Sequence, residues 1–104
     1  MLSVVILNYS RPTYIKDFII PILTKYNIVD EIVISHGKKE AYFESTSPKV
    51  KNLKHYGKMN EEYGLTLRFV SAMEAKHDYV IIMDDDIVPN ENSLQSVLDN
   101  MIKE

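Results

Sequence analysis

Residues 2 to 12 read Leu2-Ser3-Val4-Val5-Ile6-Leu7-Asn8-Tyr9-Ser10-Arg11-Pro12. The run Val4 to Leu7 is continuous, apolar and rich in β-branched side chains, the pattern of a strand buried on both faces. Asn8-Tyr9-Ser10-Arg11-Pro12 then breaks the run as a loop. From Thr13, an N-cap residue type, the apolar spacing becomes helical through Ile15, Phe18, Ile19, Ile22, Leu23 and Tyr26. Pro21 falls inside this stripe and should kink or shorten the helix. A doubly buried strand that feeds a short loop and an amphipathic helix is the opening of a parallel α/β domain.

The rest of the chain repeats the alternation. Glu31 to Ser35 is a second buried strand, closed by His36-Gly37, with His36 read as a turn residue. Lys38 to Asn60 is the least regular stretch and holds a short edge strand near Val50 to Lys54. Leu65, Phe69, Ala72 and Met73 predict a second helix ending near Lys76. Tyr79 to Met83 is a third strong strand and runs straight into Asp84-Asp85-Asp86. Asn90 or Asn92 then opens a last helix with the stripe Leu94, Val97, Leu98, Met101 and Ile102. The expectation is one domain over 1–104: a Rossmann-like three-layer α/β/α fold on a small, mostly parallel sheet of about four strands. Ligands of such sheets bind outside the carboxyl ends of the strands, where the polar strand ends of this chain converge.

Composition narrows the function. The chain has 104 residues, a formal net charge of −3 and no cysteine. Disulfides, cysteine nucleophiles and Cys-rich zinc sites are excluded. The charge argues against a nucleic-acid partner, which calls for a concentrated basic face. No apolar run approaches the ~18 residues of a membrane span, and the N-terminus lacks a basic leader, so a cytoplasmic protein is expected. With three glycines, the chain carries neither the dinucleotide-binding nor the P-loop fingerprint.

The three consecutive aspartates carry the sharpest chemical signal. They emerge from a buried strand, and their mutual repulsion is relieved by a divalent cation with a taste for hard oxygen ligands, Mn²⁺ or Mg²⁺. Alternation along an extended chain sends Asp84 and Asp86 to one side and Asp85 to the other. The competing reading is an acidic turn that caps the last helix. Arg11 and Arg68 are the only arginines. Their planar forks suit a diphosphate, although Arg68 could equally be a surface residue. Tyr9 could stack on a base or pack as a loop aromatic.

Taken together, these residues resemble the nucleotide-binding half of GT-A-fold glycosyltransferases, family 2 and the exostosin-like C-terminal domain in particular. The likeness rests on the opening Val-Val-Ile-Leu-Asn-Tyr-Ser-Arg-Pro and on Glu31 to Gly37. It rests as well on Tyr63-Gly-Leu-Thr-Leu-Arg-Phe-Val and on Asp78-Tyr-Val-Ile-Ile-Met-Asp-Asp-Asp, which looks like a strand with its DxD motif. The resemblance implies a metal-dependent site for a nucleotide sugar, a UDP-sugar first, and sugar transfer to a glycan or other acceptor. It implies that Asn8, Tyr9 and Arg11 contact the nucleoside diphosphate and that Ser35 stands near the base. Arg68 would approach the diphosphate, Asp84 and Asp85 the ribose or donor sugar, and Asp86, with Asp84, the metal. The family continues beyond its DxD with an acceptor-binding half, whereas this chain ends at Glu104. A fragment of a longer transferase, or a binding module completed by a second copy or a partner chain, is therefore expected. Loss of a neighbour for the Tyr79–Met83 strand makes self-association a further expectation.

Overall fold

The computed structural model describes residues 2–8, 10–45, 47–54, 75–77, 79–83 and 90–103. Four strands form one sheet: β1 (Leu2–Asn8), β2 (Val29–His36), β3 (Val50–Lys54) and β4 (Val80–Met83). Their order is β3-β2-β1-β4, and every pairing is parallel. The expected Rossmann-like α/β architecture is present, with a sheet that is wholly rather than mostly parallel. All seven residues of β1 are buried. That burial explains the unbroken apolar run: β1 has a strand on either side and side chains covered on both faces.

Register sorts the side chains. Val4 pairs with Ile32 and Ile81, and Ile6 with Ile34 and Met83. These residues share one face with Leu2 and form the core together with Ile15, Ile19, Leu23, Leu94 and Leu98. The helices on both sides of the core residues therefore cover the same face of the sheet. Val5 and Val33 project to the opposite face and are also fully buried. The helix expected near Leu65 to Met73 lies outside the described residues.

The first helical stretch is not a plain α-helix. It runs through α1 (Pro12–Tyr14), a π-helical turn (Ile15–Ile19) and α2 (Ile20–Thr24). In the π turn the Ile20 N–H donates to the Ile15 carbonyl, five residues back. Pro21 supplies the reason: it has no N–H to give, and its ring would strike the carbonyl four residues before it in an α-helix. Widening the preceding turn accommodates both problems without ending the helix. The extra residue also shifts the buried stripe. Ile15, Ile19, Ile20 and Leu23 face the core, while Phe18 is 54% exposed and leans on Tyr14 at 5.5 Å. The helix continues past Pro21 to Thr24, and the proline is accompanied by a shift in which residues face the core.

A cation closes the carboxyl end of α2. Lys49 Nζ donates to the carbonyls of Thr24 (3.0 Å) and Tyr26 (3.4 Å), the second of which also accepts the Val29 N–H at 3.1 Å, and so places a cation at the helix C-terminus. The last helix, α3 (Glu91–Lys103), begins at Asn90, whose Oδ1 accepts the Ser93 N–H at 2.8 Å. Glu91 Oε2 accepts the Asn27 N–H at 3.0 Å and ties α3 to the loop after α2. Leu94 and Leu98 are buried as expected, but Val97 and Ile102 are 45% and 57% exposed. The stripe in contact with the sheet is therefore narrower than the apolar pattern.

Candidate functional site

The sequence β1, β2, β3 progresses outward in one direction, and β4 then lies on the other side of β1. The strand order therefore reverses between β1 and β4, the place where open α/β sheets open a crevice at their carboxyl edge. β1 ends there at Asn8. β4 ends at Met83, whose partner in β1 is Ile6. Asp84, Asp85 and Asp86 follow Met83 in the chain and lie outside the described residues, as do Tyr9 and Arg68.

The described part of this edge is a polar row across three strands. Asn8 and His36 are register partners, and Asn52 pairs one step earlier with Ile34. All three sit on the core-facing side, Asn8 and His36 one step beyond Ile6 and Ile34, and Asn52 beside Ile34. Asn8 Nδ2 donates to His36 Nδ1 (2.9 Å) and to the Ala41 carbonyl (2.7 Å). His36 Nε2 meets Asn52 Oδ1 at 2.8 Å. An amide oxygen only accepts, so Nε2 carries the imidazole proton and Nδ1 is free to accept from Asn8. The histidine is thus neutral in this arrangement, with a fixed tautomer. Its ring is walled by Tyr42 and Phe43, edge-on at 4.5 and 5.1 Å, and Lys54 Nζ stands 5.2 Å from the Tyr42 ring centre.

One atom in the row has no partner. Asn8 is fully buried and its Oδ1 accepts no hydrogen bond among the described residues. Rotating the amide would not help, because Oδ1 would then face the Ala41 carbonyl oxygen. An orphaned buried carbonyl costs on the order of 1–3 kcal/mol, and such a group calls for a functional account.

The other expected residues divide. Ser35 is 1% exposed and pairs in register with Leu7, so it projects to the face opposite Asn8 and His36. Arg11 is exposed just before α1, and its carbonyl accepts the Ile15 N–H at 3.1 Å. The structure thus joins Asn8 to His36 and Asn52, and separates all three from Ser35 by the thickness of the sheet. His36 is no turn residue: it is the last residue of β2 and wholly buried. Period-2 alternation from Ile32 and Ile34 places it on the core face, a signal present in the sequence. Asn52 carries no comparable signal in its short strand.

At the opposite, amino end of the sheet lies a second polar cluster. Ser3 Oγ donates to buried Glu31 Oε1 at 2.8 Å, which also accepts the Lys76 N–H at 2.9 Å. Asp30 Oδ2 accepts from His77 Nε2 at 2.6 Å and pairs with Lys76 Nζ at 3.2 Å. The hydrogen bond from His77, then Lys76, hold the Asp30 carboxyl below its usual 3.8. This cluster pins the segment ahead of β4 against β2.

Among the described residues no three His, Asp or Glu side chains gather as a metal site, and no helix is long and apolar enough to cross a membrane. Compared with known proteins, the chain matches no family model, no curated protein and no solved structure.

Proposed function

We propose that the chain binds a nucleoside-diphosphate sugar, a UDP-sugar first, at the carboxyl edge of β1 and β4, as the donor half of a GT-A-type glycosyltransferase. The observation that carries this reading is the reversal of strand order beside Asn8: β1 and β4 lie side by side and parallel at the switch point, and β4 runs on in the chain into Asp84-Asp85-Asp86. Tyr9, Arg11 and Arg68 are assigned to the nucleoside and diphosphate, and Asp84 and Asp85 to the ribose or sugar; Ser35, buried on the face away from Asn8, is given no ligand contact. The donor set of Asp86 and Asp84 suits Mn²⁺ or Mg²⁺, which take carboxylate oxygens and leave positions for phosphate. When bound, such an ion supplies Lewis-acid stabilisation of the leaving diphosphate. A glycan or other acceptor, brought by a partner chain, a second copy or further sequence, completes the reaction.

Calorimetric titration of UDP tests the proposal. Binding is expected in the presence of Mn²⁺, is lost in EDTA, and weakens at least about tenfold in Asp86→Ala. No binding of UDP or GDP with Mn²⁺ would remove the donor site and leave the aspartates as an acidic turn.

A further inference from the structure

We propose that His36 is an acid-sensitive latch: neutral, it pins the 37–43 segment over the carboxyl ends of β1 and β2, and protonation releases that segment. The proposal is independent of the nucleotide reading.

The latch sits at the end of β2. His36 is fully buried, and a side-chain amide meets each ring nitrogen. Nδ1 accepts from Asn8 Nδ2 at 2.9 Å, and Nε2 donates to Asn52 Oδ1 at 2.8 Å. A second proton can enter the ring only at Nδ1, where it would point at the Asn8 NH₂ group. Asn8 cannot answer by turning its amide over. The Ala41 carbonyl already takes an amide hydrogen at 2.7 Å, and a turned amide would set two carbonyl oxygens against each other. An imidazolium at this place therefore breaks the Asn8 contact. Asn8 is also the side chain that ties Ala41 to β1, and its carbonyl accepts the Gly37 N–H at 2.9 Å. Tyr42 and Phe43 pack edge-on against the same imidazole. The segment thus hangs on one buried ring. Around it, Lys54 of β3 and Glu44 beyond the turn both meet Tyr42, the first at 5.2 Å from the ring centre and the second at 3.0 Å from the hydroxyl. Lys38, Lys39 and Glu40 of the turn are exposed. Phe43 also walls a cavity of about 220 Å³ with Pro12, Thr13, Lys16 and Asp17, so release of the segment reshapes that cavity. The sign follows from proton linkage. The latched state binds the proton less readily than the released one, so it is fully populated above the ordinary histidine midpoint of about 6.5 and loses ground as pH falls below it.

NMR of the imidazole nitrogens of the unmodified protein, from about pH 8 to about pH 5, tests the latch together with amide hydrogen exchange. His36 is expected to hold its proton on Nε2 and to stay neutral through the ordinary midpoint near about 6.5. Release is read at the Gly37 and Ala41 N–H groups, which donate to the Asn8 and Lys38 carbonyls. Their protection, corrected for intrinsic exchange, is expected to fall below that midpoint by up to about tenfold per pH unit, while that of Val5 in the middle of β1 holds. In His36→Gln, whose side-chain oxygen accepts from Asn8 and takes up no proton, the protection of Gly37 and Ala41 stays within about threefold over the same range. A His36 that titrates at or above about 6.5, a neutral ring with its proton on Nδ1, or protection that ignores pH would overturn the proposal. So would loss of Val5 protection in the same step, which marks unfolding of the sheet rather than release of a segment, and so would a folded His36→Gln that keeps the pH dependence. Should that variant not fold, the imidazole titration and the exchange data on the unmodified protein decide.

Discussion

Asn8 shows how much a single strand-end residue can be asked to do. It closes the core above Ile6, hydrogen-bonds His36 and Ala41, and carries a buried oxygen without a partner among the described residues. Its neighbour His36 is equally committed, so truncation should be costly. His36→Ala removes a fully buried ring together with the acceptor for Asn8 and the donor to Asn52. A loss of about 2–4 kcal/mol is expected from urea denaturation. At the other end of the sheet, Asp30 makes acid sensitivity local. Its carboxyl is held below 3.8 in the folded chain by the hydrogen bond from His77 and by Lys76. A carboxylate depressed in this way stabilises the fold above its unfolded pKa, and that contribution is lost as pH falls through the lower folded value. The stability of the unmodified protein and of Asp30→Asn, measured by urea denaturation against pH, should therefore differ at neutral pH and converge as the pH falls through the lowered value of the folded carboxyl. Equal differences at pH 7 and pH 2 would show that the ion pair contributes nothing.

Elements show where local pattern and environment part. The spacing of Ile15, Phe18, Ile19, Ile22 and Leu23 is that of an α-helix with a five-residue stripe, and the helix is there. Pro21 nevertheless forces a wider turn ahead of itself, which turns Phe18 to solvent and brings Ile20 inward. The two neighbours should behave differently: Ile19→Ala is expected to cost about 2–5 kcal/mol, Phe18→Ala under about 1 kcal/mol. Equal costs in denaturant titrations would mean that the regular stripe, not the shifted one, packs in solution. Similarly, the strand calling for least notice in the sequence, β3, proves to be a full member of the sheet. Its residues are half-buried or exposed because it pairs only with β2 among the described elements.

For the molecule as a whole, the two edges of the sheet differ. The β3 edge carries Lys51 and Lys54, both exposed, charges of the kind that discourage strand-to-strand association. β4 is Val80-Ile81-Ile82-Met83, apolar throughout and only half-buried. Self-association through β4 is the outcome proposed here, and sedimentation across a concentration series should show a species heavier than the 12.1 kDa chain. A strictly monomeric species at high concentration would contradict it. Converting Lys51 and Lys54 to Val should add a second, less specific mode of association, visible as light scattering that grows with concentration.

The sequence by itself determined the strands, the two described helical segments and the α/β class. Runs such as Val4 to Leu7 and stripes such as Leu94 and Leu98 report the burial of their own residues, and burial periodicity is a local property. It also marked Asn8, Arg11, Ser35 and the aspartates as strand-end chemistry. What it could not contain was neighbourhood. Only the tertiary structure decided that β4 lies against β1, that Ser35 and Asn8 occupy opposite faces, and that His36 links Asn8 to Asn52. Those facts depend on which strand pairs with which and in what register. A one-residue slip in register would send every one of these side chains to the other face without altering a letter of the sequence.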